Sequence, residues 1–106
     1  MKKYKVDILP TAVRDIINIR AYIVGRYQDT YNADIVVNDI FNSINSLIFF
    51  PRRAQICLKV SGLGLRFLKA GKYTIVYFVD ANNAVVKVYG VLHSRRDIFK
   101  IVKDRA

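Results

Sequence analysis

Between Leu47 and Leu65 the apolar residues of this 106-residue chain change period. From Ala12 to Leu47 they recur in steps of four and three. From Leu65 to Leu92 they alternate or run together. A period of about 3.6 belongs to a helix and a period of about two to a strand, so helices come first and sheet second. In the first region Ala12, Ile16, Ile19 and Ile23 form one stripe. Ala33, Val37, Ile40, Ile44 and Leu47 form another, running to about Phe49. Gly25 to Thr30 separates the stripes and Pro51 stops the second. Two such stripes on a short connection predict an antiparallel helical hairpin.

Around the hairpin the pattern is that of strands. Tyr4 to Leu9 alternates, Pro10 ends it, and Thr11 is placed to cap the following helix. Residues 52–64 show little periodicity, and Arg52-Arg53 with Gly62-Leu63-Gly64 reads as a loop. Leu65 to Lys69 is a strand, punctuated by Gly71. Tyr73 to Val79 follows, with Tyr73, Ile75, Tyr77 and Val79 on one face and Thr74, Val76 and Phe78 on the other. Apolar residues on both faces predict a central strand covered on both sides. Asp80-Ala81-Asn82-Asn83 is turn chemistry, and Val85 to Leu92 is the partner strand. Ser94-Arg95-Arg96-Asp97 has the spacing of a capping box, with Asp in place of Glu. It opens a short helix with Ile98, Ile101 and Val102 on one face and Lys103 and Arg105 at the negative end of its dipole. The expected fold is α+β: an N-terminal strand, an antiparallel helical hairpin, a three-stranded antiparallel run completing a small sheet, and a short C-terminal helix. Residues 1–106 are expected to form one domain.

Hydrophobic residues make up 53% of the chain. A domain of this size buries only about two-thirds of its unfolded surface, which leaves apolar surface for a partner. No apolar run reaches the roughly 18 residues of a membrane span. The basic start has no apolar stretch behind it before Asp7, Arg14 and Asp15, so a cytoplasmic location is expected. The single Cys57 builds no internal disulfide and is expected as a small buried hydrophobe. The net charge of +10 is unevenly spread. Residues 1–50 carry six Lys or Arg against five Asp, and residues 51–106 carry twelve against three. The second half therefore suits an acidic partner: nucleic acid, an anionic membrane surface or an acidic protein.

Little catalytic chemistry is visible. His93 ends the last strand beside Arg95 and Arg96, where an imidazole is a candidate base. No spacing of His, Cys and Asp suggests a metal, and no cofactor motif is present. Asp15 beside Arg14, and Asp34 with Asn38, read as solvated helix faces. What remains is a basic surface with tyrosines. Arg66, Lys69 and Lys72 lead to Tyr73, and Arg95, Arg96 and Lys100 cluster after the last strand. Cations that meet phosphates and tyrosines that stack on bases hold single-stranded RNA, and cations stabilise charge at a scissile phosphate. Tyr77, between Ile75 and Val79, reads as core. Tyr73 stands at the start of its strand, where its hydroxyl can reach solvent.

Taken in order, these segments resemble the RelE/ParE toxin superfamily. Tyr4-Lys5-Val6-Asp7-Ile8-Leu9-Pro10 with Ala12, Arg14-Asp15-Ile16, Ile19 and Tyr22-Ile23 is similar to its opening strand and first helix. Ile44, Leu47 and Phe50-Pro51 resemble the end of its second helix. Leu65-Arg66, Gly71-Lys72-Tyr73 and Ile75-Val76-Tyr77 resemble its central strands, and Val91-Leu92-His93-Ser94-Arg95-Arg96-Asp97 its closing signature. The resemblance implies a growth-inhibiting toxin neutralised by a small, partly disordered antitoxin. It also implies one of two targets. RelE-like members cut messenger RNA in the ribosomal A site with Arg, Lys and sometimes Tyr or His, without a metal. ParE-like members inhibit DNA gyrase. RNA-cutting members usually place an Arg after the tyrosine corresponding to Tyr73, where this chain has Thr74. They often place a Tyr or His near the C-terminus, where this chain has only Phe99. Arg66, Tyr73, His93 and Arg96 would be the catalytic set of a nuclease, with Lys69, Lys72, Arg95 and Lys100 as binding residues. The long hairpin and the Leu92-His93 pair are more similar to the ParE side.

Overall fold

The structure, a computed structural model, describes residues 2–105. Strand β1 (Lys5–Ile8) leads into helices α1 (Pro10–Tyr27) and α2 (Thr30–Ser46). Four strands follow, β2 (Ile56–Val60), β3 (Leu63–Ala70), β4 (Tyr73–Asp80) and β5 (Val85–His93), and then helix α3 (Ile98–Arg105). The sheet order is β1-β5-β4-β3-β2. All neighbours are antiparallel except β1, which pairs parallel with β5.

The two faces of the sheet carry separate cores. The hairpin covers one, where Ala12, Ile16, Ile40, Ile44 and Leu47 meet Leu68, Ile75, Tyr77, Val86, Val88 and Val91. Helix α3 covers part of the other, where Ile98 and Val102 meet Leu65, Val76 and Leu92. β4 alternates between the two cores as a doubly covered central strand must. Both helical stripes are the buried faces, with Ala12, Ala33, Ile40 and Leu47 fully inaccessible.

Several local expectations are corrected. Residues 56–60, expected as loop, form edge strand β2, and β3 begins two residues early at Leu63. β2 is half exposed and its register against β3 shifts between Ile56 and Leu58, so its side chains show no clean alternation. Cys57 on this edge is exposed rather than buried. α1 runs to Tyr27 as the spacing predicts, whereas α2 ends at Ser46 rather than near Phe49. Thr11 does not cap α1. Leu9 takes the cap position, Pro10 opens the helix, and the Thr11 hydroxyl donates instead to Tyr89 O at 2.6 Å. Ser94 does not cap α3 either. Asp97 does, accepting from Lys100 N at 3.2 Å, and Ser94 bonds Thr74.

The largest correction is Asp15. It is not on a solvated face but only 8% exposed. β1 leaves β5 at Val88, so the outer edge of β5 beyond it has no strand to pair with. Thr11 and Asp15, one turn apart on α1, take over: Thr11 donates to Tyr89 O, and Asp15 Oδ2 accepts from Val91 N at 3.0 Å. Arg105 then grips both oxygens of Asp15 at 2.8 Å. Its guanidinium is thus an ion-pair partner across the molecule rather than a helix-dipole charge.

Asp15→Ala leaves the Val91 N–H and the Arg105 guanidinium without their acceptor. A loss of about 3 kcal/mol, roughly 15 °C in Tm, is expected by thermal denaturation. A shift of only a degree or two would show that this network does not hold the fold.

Candidate functional site

A bulge in β5 prepares the site. Val76 lies opposite Gly90 but Tyr77 opposite Val88, so Tyr89 is an extra residue. The side-chain alternation therefore shifts by one: Val86 and Val88 face the hairpin, and beyond the bulge Val91 does. His93 follows Val91 onto that side and lies opposite Tyr73. The two rings meet edge-on, with centroids 5.4 Å apart and an interplanar angle of 73°. His93 Nδ1 accepts the Arg95 backbone N–H at 3.1 Å, so in the neutral ring Nε2 carries the hydrogen.

The Tyr73–His93 pair lines an open cleft of about 1190 Å³ between the hairpin tip and the end of the sheet. The sheet side contributes Lys69, Lys72, Tyr73, His93 and Arg95, and the hairpin side contributes Tyr22, Tyr27, Asp29, Asn32 and Asp39. β3 and β4 close through a two-residue turn, with Gly71 at φ 61, the Gly-first geometry that matches strand twist. The turn sets Lys72 at the cleft mouth, and Ser94 N bonds Lys72 O at 2.9 Å to tie β5 to it. Across the cleft, Asp29 caps α2 by accepting from Asn32 N at 3.0 Å.

Tyr73 is held neutral. Burial raises its pKa above 10.0, and charge repulsion from Tyr22 and Tyr27 raises it further. It offers a hydroxyl donor and an aromatic face rather than a phenolate. Among the described residues, no three His, Cys or Asp converge as metal ligands.

The expected site residues divide. Lys69, Lys72, Tyr73, His93 and Arg95 share the cleft. Arg66 does not: it lies opposite Tyr77, four residues back along β3, about 13 Å from the turn. There its Nη1 donates to Ala54 O at 2.7 Å. Arg96 and Lys100, exposed before and on α3, are not among the cleft residues. Thr74 is buried, and its hydroxyl pairs with Ser94 Oγ at 2.9 Å. The hairpin's contribution was not anticipated. Tyr22 and Tyr27 are more than half exposed aromatics off the buried stripe, which is the signal that could have marked them.

A five-stranded sheet with a helical hairpin on one face and a short helix on the other is a fold this chain shares with solved proteins of toxin–antitoxin systems. The chromosomal ParDE system of Pseudomonas aeruginosa matches with TM-score 0.73 and 16% identity, over 88% of this chain and 98% of that one. The archaeal RelE–RelB complex of Pyrococcus horikoshii matches with TM-score 0.66 and 16% identity, over 91% and 99%. The RelBE2 complex of Mycobacterium tuberculosis matches with TM-score 0.61 and 21% identity, over 91% and 97%. No curated protein matches by sequence. The profile of the ParE toxins of type II toxin–antitoxin systems matches residues 6–98, and the chain belongs to that family.

Burial also raises the pKa of Tyr77 above 10.0, against smaller lowering effects of its Ala54 hydrogen bond, Arg66 and Arg53. The folded chain thus holds the Tyr73 and Tyr77 protons more tightly than the unfolded chain does. Stability is intact below pH 10.0 on their account and falls as pH rises through the raised values. Tyr73→Phe combined with Tyr77→Phe should flatten the alkaline fall of stability in denaturant titrations. An unchanged slope would count against both assignments.

Proposed function

We propose that the protein is the growth-inhibiting toxin of a type II pair, held in check by a cognate antitoxin, and that it acts by binding DNA gyrase rather than by cutting messenger RNA. The observation that carries this reading is the dispersal of the nuclease set. Arg66 is committed to a backbone carbonyl from the middle of β3, and Arg96 lies outside the cleft. The position after Tyr73 holds a buried hydroxyl paired with Ser94. Asp29 and Asp39 also line the cleft that holds these cations. A phosphodiester backbone would meet both signs there, whereas a protein segment carrying both charges is complementary to it.

The second reading is a RelE-like, ribosome-dependent, metal-independent endoribonuclease. The contact of Tyr73 with His93 among Lys69, Lys72 and Arg95 favours it. Attack of a 2′-hydroxyl on the adjacent phosphorus would expel the 5′-oxygen and leave a cyclic phosphate, with the cations stabilising the charge.

Purified toxin added to gyrase and relaxed plasmid should suppress supercoiling, and its antitoxin should restore it. Primer extension on translated messages should show no new 3′ ends. Lys72→Glu with Arg95→Glu should weaken gyrase inhibition about tenfold or more, the scale of a lost charge-assisted contact. Undiminished supercoiling, together with His93-dependent cleavage of messages, would replace this reading with the second.

A further inference from the structure

The end of the sheet remote from the cleft carries a second basic surface. The connection from α2 to β2 turns sharply there. Ile48 N bonds Asn45 O, Phe50 N bonds Ser46 O and Arg53 N bonds Phe50 O, at 3.1 to 3.2 Å. Pro51 is buried beneath it. This fixed turn presents Phe49 and Phe50 at 47% and 56% exposure, although both are large apolar rings. Together with Pro51, Arg52 and Arg53 they line one shallow depression of about 430 Å³.

Arg52 and Arg53 line the depression beside these rings, Lys2 shares Tyr4 with Arg52, and Arg66 lies with Arg53 near Tyr77. Arg52 Nη1 is 3.5 Å from Tyr4 Oη, and Lys2 Nζ is 5.5 Å from the centroid of the same Tyr4 ring. Arg53 Nη1 donates to Ser46 Oγ at 2.8 Å, and Arg66 Nη1 to Ala54 O at 2.7 Å. Each guanidinium has five donors and spends one, so several remain. The ion pairs among the described residues, Arg20–Asp34 and Arg105–Asp15, lie elsewhere. Unlike the cleft, the depression has no carboxylate among its described lining residues.

We propose that this surface binds single-stranded nucleic acid, with bases stacked on Phe49 and Phe50 and the backbone phosphates met by Arg52, Arg53 and Lys2. Exposed flat rings beside unpaired guanidiniums are what a stacking platform on a polyanion requires. An acidic protein segment would use the cations but needs apolar side chains of its own to cover the rings, whereas every base offers a flat face to stack on them. The proposal is independent of the target assigned to the cleft.

The test is fluorescence anisotropy of the full chain with a labelled oligouridylate of about 12 nucleotides, within the usual site size of such surfaces. Phe49→Ala with Phe50→Ala should weaken binding about tenfold or more, with the melting temperature checked separately. Arg52→Gln with Lys2→Gln should lower the slope of log affinity against log salt by about 1.4, at about 0.7 per phosphate contact on a single strand. Lys69→Gln with Lys72→Gln, at the cleft, should leave binding within about twofold, well inside one charge-assisted contact. Three outcomes would overturn the proposal: absence of binding, loss centred on the cleft variant, or binding indifferent to both phenylalanines. The last would identify a purely electrostatic surface that fits an acidic protein equally well.

Discussion

The carboxylate of Asp15 accepts one backbone N–H from β5 and two guanidinium N–H groups from the end of α3, while its own Cα belongs to α1. Three elements from both faces of the sheet are joined at one side chain. The need arises from topology. β1 is four residues long and pairs only with Val85 to Val88, so the remaining edge of the nine-residue β5 would present bare backbone groups. A helix side chain that accepts from Val91 N closes that edge, and a cation that neutralises the carboxylate makes its burial tolerable. Gly90 is part of the same arrangement. A Cβ there would lie 3.1 Å from Arg105 Nη1 and 3.2 Å from Asp15 Oδ2, so the guanidinium passes over a residue without a side chain.

The site inherits its geometry from this edge. The bulge at Tyr89 lies between the part of β5 paired with β1 and the part capped by α1. By shifting the alternation it brings Val91 and His93 to the hairpin side. With regular alternation from Val88, His93 would face α3 and Tyr73 would lose its ring partner. The cleft thus depends on an irregularity at Tyr89, far along the chain from the helical connection at Gln28 and Asp29 that forms its other wall.

The helices and the central strand were legible because their apolar periods are long and unbroken; both stripes proved to be the buried faces. Edge strand β2 was not, because burial on one side of a short, register-shifted strand leaves no periodic trace. Asp15 was misread for a related reason. Its position on the helix lies beside the stripe rather than on it, and nothing local reveals that β5 lacks a neighbour at Val91. The cleft was half legible. Its sheet wall is contiguous in sequence around Gly71 and His93, whereas Tyr22, Tyr27, Asp29 and Asp39 reach it only through the packing of the hairpin. Arg66 shares a strand with Lys69, and strand geometry alone separates them by distance and face.

That separation changes what the excess positive charge of residues 51–106 means. Read along the sequence, it is one basic region. In three dimensions β3 divides it: Lys69 and Lys72 go to the hairpin tip, and Arg66, from mid-strand, joins Arg53 beside Tyr77. The first half of the chain contributes five carboxylates, and two of them, Asp29 and Asp39, sit in the cleft. The hairpin tip therefore carries charges of both signs, while the described lining of the depression at the α2–β2 connection carries cations alone. A surface of mixed sign selects among protein partners by pattern, and one of single sign with exposed rings attracts nucleic acid with little regard to sequence. The same net charge thus supports two different kinds of recognition at opposite ends of a single sheet.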